Sequence, residues 1–426
     1  MAYDADCDNR SVHDSSKLIL GLIAFGALAA RPLYPQGLPD PEDSGIEPII
    51  VVTMENRSYD HFLGWLPHAD GEQEDLTFFD ENGTPYVTSR LAPDYQGCSH
   101  PDPDHSYEGG RIEFNNGACD GWLLAGENDE YSIGFYKKND LKFLGSAARD
   151  WTTCDRYFCS IMAETWPNKI YQYAAQTDRL ENELVLCTLP TIWDRLATVG
   201  VSARYYFNDV PFVALWGLKY LPISRLYAEF LADAAAGTLP AVSFIDPRFI
   251  DAASGTSVDD HPHADIRNGE KFMEEIYRAV TTSPNWPNSV LVFTYDEWGG
   301  FFDHVPPPVG PIPPADLMAG NDGLLGFRVP CVIVSPFAPA HPSHIEFEHS
   351  SVLRMIEWRW DVQPLTERDA TANNLALALD FSLNRQSPKQ YSVPSGPFGG
   401  PCPGILSGGD KWDWLKQFAI LFGWLI

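Results

Sequence analysis

Residues 50–64 read IVVTMENRSYDHFLG. The run 50–54 is apolar or β-branched and predicts a buried strand, which delivers Glu55 and Asn56 into a polar loop. Residues 289–300, SVLVFTYDEWGG, repeat the arrangement and place Asp296 and Glu297 after a second strand. Strand ends of this kind build active sites in open α/β sheets. Oxygen ligands gathered from two such ends suit a hard divalent cation.

The rest of the chain alternates strand-like and helical patterns. Strand-like runs recur at 48–54, 201–207, 240–245, 289–295 and 329–335. Helical periodicity separates them, as at 141–148, 168–176 and 268–280. The alternation predicts an α/β fold with a largely parallel sheet covered on both faces. The segment 66–125 lacks it and is rich in Gly, Asp, Asn and Pro, so we expect a long insertion around the site.

A single catalytic domain is expected over residues 47–386, because large α/β sheets with long loops often fill such a length as one unit. Residues 1–46 indicate a leader, and the Pro- and Gly-rich residues 387–410 indicate an irregular linker. Residues 411–426 predict an apolar helix docked on the body. A membrane-touching tail is the alternative for that last segment.

The charge balance excludes some partners. A formal net charge of -29 and a pI near 4.6 argue against nucleic acid, whose phosphates need Lys and Arg. They argue equally against adhesion to an anionic membrane by charge alone. The oligomeric state is left open by the sequence.

The apolar segment 18–30 bears on location. It has the length and the small-residue exit of a secretory signal, and it is too short to span a bilayer comfortably. We therefore expect a secreted protein, or one of the periplasm or cell envelope. The residues before the segment are acidic where a signal is basic, so an ordered N-terminal helix of a cytosolic protein is the alternative.

Cysteine usage favours disulfides over a metal cluster. The eight cysteines are even in number and lack any Cys-x-x-Cys pair. The local candidates are Cys98 with Cys119 and Cys154 with Cys159. Cys331 lies in the apolar run 329–334 and is expected to be a buried free thiol.

Thr165 is a candidate nucleophile. It precedes Trp166-Pro167 and a helical run, so it would stand at a helix start, where free N–H groups favour an anion. An ordinary N-cap threonine is the alternative. Histidines in polar loops suggest donors to a phosphate, with one acting as general acid, or simply satisfied loop residues. These histidines include His105, His261, His304 and His349.

Five motifs in order along residues 47–360 resemble the signatures of the phosphoesterase family. They are ENRSYDH at 55–61, TWPN at 165–168, DDHP at 259–262, YDE with GGFFDHV at 295–305, and EHSSVL at 348–353. The family unites bacterial phosphatidylcholine-type phospholipases C, plant non-specific phospholipases C and acid phosphatases of the respiratory-burst-inhibiting kind. The resemblance implies an alkaline-phosphatase-like three-layer α/β/α sandwich.

The resemblance also implies a set of roles. Glu55, Asn56, Asp296 and Glu297 match the ligands of one metal ion, and Thr165 matches the nucleophile and a further ligand. The phosphate pocket would be lined by His105, His261, His304 and His349. Asn115 and Asp120 are weaker matches. An all-oxygen ligand set suits Ca²⁺, Mg²⁺ or Mn²⁺ rather than zinc.

Two residues depart from the family pattern. Trp298 stands where many phospholipase members have His, and Lys169 replaces the commoner Arg. The sequence predicts a metal-dependent phosphoric ester hydrolase that forms a phosphothreonyl intermediate. It favours phospholipase C-like cleavage of a phosphodiester, with transient membrane-surface contact, slightly over acid phosphatase action on monoesters. A non-catalytic, cation-stabilised binding protein of the envelope is the alternative from another class.

Overall fold

The computed structural model describes residues 37–249 and 255–403. The predictions for the segment 18–30 and for the helix 411–426 lie outside the described residues. Within them, no helix combines the length and the apolar character that a bilayer span requires.

Strands and helices alternate along the described chain. The strands are β1 Ile49–Met54, β2 Thr77–Phe79, β3 Pro85–Val87, β4 Ser89–Arg90, β5 Gly134–Phe135, β6 Thr152–Cys154, β7 Tyr157–Phe158, β8 Ala203–Phe207, β9 Ser224–Leu226, β10 Val242–Ile245, β11 Val290–Tyr295, β12 Cys331–Val334, β13 Pro342–Ser343 and β14 Phe347–Glu348. The α-helices are α1 Tyr59–Leu63, α2 Tyr107–Phe114, α3 Leu144–Asp150, α4 Thr165–Ala174, α5 Ile192–Thr198, α6 Tyr227–Ala236, α7 Ile266–Thr281, α8 Pro314–Ala319, α9 His349–Trp360 and α10 Glu367–Thr371.

A central sheet organises the described residues, with eight strands in the order β13-β6-β12-β11-β1-β10-β8-β9. β1 lies between β10 and β11 and is parallel to both. Every residue of β1 and β11 is buried, as expected for apolar strands covered on both faces. The predicted α/β fold with a largely parallel sheet is therefore confirmed.

The strand predictions at 48–54, 201–207, 240–245, 289–295 and 329–335 correspond to β1, β8, β10, β11 and β12. Strand β12 departs from the parallel pattern and runs antiparallel to both β11 and β6. The segment 66–125 contains the hairpin β2–β3, strand β4 and helix α2. The described part of the predicted linker, residues 387–403, contains neither helix nor strand.

A disulfide joins Cys98 to Cys402, with their Cα atoms 5.1 Å apart. The predicted local pairs were wrong, since Cys119, Cys154 and Cys159 are buried free thiols. The expectation of a buried free thiol at Cys331 is confirmed. Pairing cysteines by their closeness in the sequence gave the wrong result because the fold brings residues 400–402 to the insertion 66–125. There the Gln96 amide donates to the Gly400 carbonyl at 2.5 Å.

Candidate active site

The carboxyl ends of β1 and β11 bring the two acidic motifs together. Met54 is the register partner of Tyr295, so the residues that follow each strand are neighbours. The backbone N–H of Asn56 donates to Asp296 Oδ1 at 3.2 Å, and the Arg57 N–H donates to the Glu297 carbonyl at 3.2 Å. Asn56 has a φ of 62°, a left-handed conformation that Asn tolerates better than most residues. The turn therefore directs both motifs into one buried space.

Three acceptor oxygens at these strand ends are buried and have no hydrogen-bond partner among residues 37–249 and 255–403. They are Asn56 Oδ1, Asp296 Oδ2 and Glu297 Oε1. Burial and the nearby Glu55 carboxylate raise the pKa of Asp296 well above its ordinary value. Burial and Asp296 raise the pKa of Glu297 in the same way. Unpaired buried acceptors are costly, and a hard cation is the partner that such oxygens suit, so the residues present fit a divalent metal ion.

Glu55 forms an ion pair with a buried lysine on α4. Lys169 Nζ lies 3.1 Å from Glu55 Oε1 and 3.5 Å from Asp246 Oδ1. Burial disfavours the ammonium form, but Asp246 and Glu55 outweigh it and hold the pKa of Lys169 well above its ordinary value. Burial still raises the pKa of Glu55 despite this partner. A charged lysine therefore anchors one carboxylate of the site to the adjacent strand β10, which Asp246 follows.

Thr165 is the first residue of α4, with 8% of its surface exposed, and it lies one helical turn before Lys169. The Asn168 amide fixes the approach to this helix. Its Nδ2 donates to the Ile161 and Ala163 carbonyls at 3.0 and 2.8 Å, and its Oδ1 accepts from the Ile161 N–H at 3.1 Å. The Asn168 amide thus fixes the backbone that leads into the helix whose first residue is Thr165.

His105 and His261 lie on the Asn56 side of the site. His105 Nε2 is 3.3 Å from Asn56 Nδ2, and its Nδ1 lies 2.7 Å from the Pro103 carbonyl. A proton on Nδ1 satisfies both contacts, so Nε2 is the nitrogen that faces the site. The rings of His105 and His261 meet edge to face, with centroids 6.1 Å apart. The backbone N–H of His261 also donates to Asp259 Oδ1 at 3.2 Å.

His349 is buried, and both of its ring nitrogens are engaged. Its Nε2 donates to the Asp296 carbonyl at 2.6 Å, and its Nδ1 is 3.2 Å from the Tyr157 hydroxyl. Burial lowers the pKa of His349 to about 4, so the ring is neutral. In this arrangement the imidazole holds the backbone that carries Asp296.

His304 belongs to a separate ion-pair network. Its Nδ1 bonds to Asp60 Oδ2, and its Nε2 lies 3.3 Å from Asp70 Oδ1. Burial opposes protonation, but Asp60 prevails and raises the pKa of His304 to about 9. Asp60, Asp303 and His304 have the spacing of a cation site. Arg328 already supplies positive charge there, since its guanidinium lies 3.2 Å from Asp60 and 2.8 Å from Asp303.

The weaker matches, Asn115 and Asp120, are exposed beyond α2, where Asn115 Nδ2 donates to Asp120 Oδ1 at 2.7 Å. Trp298 is fully buried, and its indole N–H donates to Glu113 Oε2 at 2.7 Å.

The sequence analysis assigned no role to two buried carboxylates near the site, Asp246 and Asp259, although the second begins the DDHP motif. Asp246 follows β10, so the strand-end rule that found Glu55 and Asp296 could also have found it. Asp259 is buried, and its carbonyl accepts from the Glu55 N–H at 2.8 Å. Burial, with Glu55 next, raises the pKa of Asp259 well above its ordinary value.

A largely parallel sheet with buried carboxylates at neighbouring strand ends defines an α/β enzyme with its site at the carboxyl edge of the sheet. The model of the Phosphoesterase family matches residues 46–363. The chain belongs to that family, and it is a hydrolase acting on phosphoester bonds.

Named relatives agree with this assignment. The chain is similar to non-specific phospholipase C1 of Arabidopsis thaliana, at 32% identity over 81% of this chain and 72% of the relative. It is also similar to phospholipase C B of Mycobacterium tuberculosis, at 30% identity over 83% and 82% of the two chains. A solved protein of the alkaline phosphatase superfamily from Vibrio parahaemolyticus aligns over 78% and 70% of the two chains, with 7% identity and a TM-score of 0.38.

Proposed function

We propose that this protein is a metal-dependent phosphodiesterase of the phospholipase C kind, with Thr165 as its nucleophile. The observation that carries the proposal is the set of three buried, unpartnered oxygens of Asn56, Asp296 and Glu297. Family membership excludes the non-catalytic envelope protein that the sequence alone left open. The names of the relatives favour phospholipase C-like cleavage over acid phosphatase action.

Glu55, Asn56, Asp296 and Glu297 would hold the ion, with the Thr165 hydroxyl as a further ligand. When bound, a divalent cation lowers the pKa of such a hydroxyl and neutralises charge on the phosphate oxygens. Oxygen ligands alone favour Ca²⁺, Mg²⁺ or Mn²⁺. Lys169 would keep Glu55 ionised and oriented, so that the carboxylate is preorganised before the ion arrives.

Catalysis by this chain then has two displacements. The deprotonated Thr165 Oγ1 forms a bond to phosphorus while the bond from phosphorus to the leaving alcohol breaks. When His105 carries a second proton on Nε2, that nitrogen no longer accepts from Asn56 Nδ2, and it gives the proton to the departing oxygen. Water next attacks the phosphorus of this threonyl phosphodiester, which still carries the headgroup, and neutral His105 takes a proton from that water. The bond from phosphorus to Thr165 Oγ1 breaks, and Thr165 is free for another cycle.

The remaining histidines receive different roles from their contacts. His261 stands beside His105 and is the second candidate donor to the phosphate. His304 is charged at neutral pH, but Asp60 and Asp70 engage both of its ring nitrogens, so we assign it to that ion-pair network rather than to contact with the phosphate. His349 would act through Asp296, whose backbone it holds, and we assign it as a positioning residue.

We also infer an extracytoplasmic location, because a disulfide such as Cys98–Cys402 persists in oxidising compartments.

The proposal is tested with Thr165→Ala and Thr165→Ser. Turnover of a soluble chromogenic phosphorylcholine ester should fall by about a thousandfold or more in Thr165→Ala and partly persist in Thr165→Ser. Thr198→Ala, an exposed threonine on α5, is the matched control and should behave as wild type. Acid quenching during turnover of this ester should trap a peptide that carries phosphorylcholine on Thr165. Full activity of Thr165→Ala would overturn the mechanism, and faster turnover of a simple monoester than of the diester would overturn the substrate class.

A further inference from the structure

The connection between β11 and β12 carries four exposed apolar side chains, which we call the apolar ridge. The ridge consists of Val309, Ile312, Leu317 and Met318, whose exposed fractions are 70%, 39%, 69% and 90%. The charged residues of the segment 305–327 are Asp316 and Asp322. Asp316 is fully buried, and Asp322 pairs with Arg111 at 2.8 Å. The ridge segment therefore carries no unpaired exposed charge, on a protein whose formal net charge is -29.

The ridge lies at the rim of the candidate active site. Its segment, 305–327, lies in the connection that leaves the carboxyl end of β11 with Asp296 and Glu297 and returns to the antiparallel strand β12, whose first residue pairs with that same end of β11. Two further contacts brace it. The Tyr107 hydroxyl, on the helix that starts two residues after His105, donates to the Gly320 carbonyl at 3.4 Å. Asp316 accepts from the Tyr171 hydroxyl on α4, the helix that begins at Thr165.

We propose that the ridge inserts into the surface of a zwitterionic phospholipid membrane and brings the headgroup to the site. This proposal rests on the proposed phospholipase C-like function. Exposed aliphatic side chains are unfavourable in water and partition into the boundary between headgroups and acyl chains. The absence of unpaired charge on residues 305–327 suits that boundary, and the acidic protein as a whole would be repelled by anionic lipid. A substrate held in a bilayer also requires the site rim to meet that bilayer.

The test compares a lipid with a soluble substrate in the double variant Leu317→Asp/Met318→Asp. Hydrolysis of phosphatidylcholine vesicles should fall at least about tenfold, because two charges now oppose insertion, while turnover of the soluble phosphorylcholine ester stays at the wild-type rate. Val199→Asp is the matched control. This apolar residue is 49% exposed and lies before the amino end of β8, away from the carboxyl ends of the strands that carry the site. Its replacement should leave both rates unchanged.

Vesicle flotation gives a readout that does not depend on catalysis. Wild type should float with phosphatidylcholine vesicles, and less so when phosphatidylglycerol is added, whereas Met318→Ser and the double variant should float weakly. Unchanged flotation of both variants, or stronger binding to anionic vesicles, would overturn the proposal. A wild-type dimer that the double variant dissociates would make the ridge a protein interface and overturn it too. Failure of the wild type on both substrates, with flotation intact, would refute the proposed function but leave the docking surface standing.

Discussion

Replacing Asp296 with Asn should remove most of the thermal stabilisation that a divalent cation gives this protein. A cation at about one hundred times its Kd stabilises the folded state by about 2.7 kcal/mol. An unfolding entropy of about 2.1 cal/mol/K per residue, over 426 residues, converts this to a rise in Tm of about 3 °C. A hundredfold weaker site would be half occupied at the same concentration, and the rise would shrink to about 0.5 °C.

Without metal, the variant should melt no lower than wild type. The pKa of Asp296 is raised by burial and by Glu55, so its ionised carboxylate is unfavourable in the metal-free fold, and an amide removes that charge. The assay is thermal unfolding after chelation and after addition of Mg²⁺, Ca²⁺ or Mn²⁺. An equal metal-dependent rise in Asp296→Asn and wild type would refute the assignment.

Asp303→Asn is the matched control for a buried carboxylate. It breaks the pair with Arg328 and should lower the unfolding free energy by about 3–5 kcal/mol, yet keep the metal-dependent rise. If Asp303→Asn rather than Asp296→Asn loses that rise, the cation binds at Asp60, Asp303 and His304 instead.

Three further changes test other contacts. His304 has its pKa raised from 6.5 to about 9, so its stabilisation is complete below about pH 6.5 and is lost as pH rises through 9. The unfolding free energy of the wild type, measured with denaturant, should therefore be larger at pH 6 than at pH 10. His304→Gln should reduce that pH-dependent difference by about 2 kcal/mol, a figure that allows for the 22% exposure of the His304 side chain. Lys169→Met leaves Glu55 and Asp246 unpaired and should cost about 3–5 kcal/mol in urea unfolding, most of which Lys169→Arg restores. Cys402→Ser opens the long covalent loop and should cost about 2–5 kcal/mol, measured by urea unfolding without reductant.

Each of these predictions has an opposing outcome. If the unfolding free energy of His304→Gln changes with pH as much as that of the wild type, protonation of His304 does not account for the pH dependence. Lys169→Met as stable as Lys169→Arg would mean that the two carboxylates do not depend on the ammonium group. If reductant destabilises Cys402→Ser as much as wild type, another disulfide accounts for the effect.

The sequence predicted those features that depend on short-range pattern. Continuous apolar runs identified β1 and β11. The placement of both motifs at strand ends agrees with the hydrogen bond from the Asn56 N–H to Asp296, while their roles as metal ligands stay a prediction. Features that depend on distant packing escaped it. Cys98 finds Cys402 across a sequence separation of 304, and no spacing rule reaches that far. The pairing of Lys169 with Asp246, which follows β10, and the antiparallel direction of β12 likewise depend on tertiary arrangement.

The Cys98–Cys402 bond also sets an order of events during biosynthesis. Cys98 lies in the loop that leads to His105, whereas Cys402 leaves the ribosome 304 residues later. Both acidic strand ends are translated before that second thiol exists. The disulfide that fastens the histidine loop therefore forms late, because it waits until residue 402 has been synthesised and an oxidant has reached it.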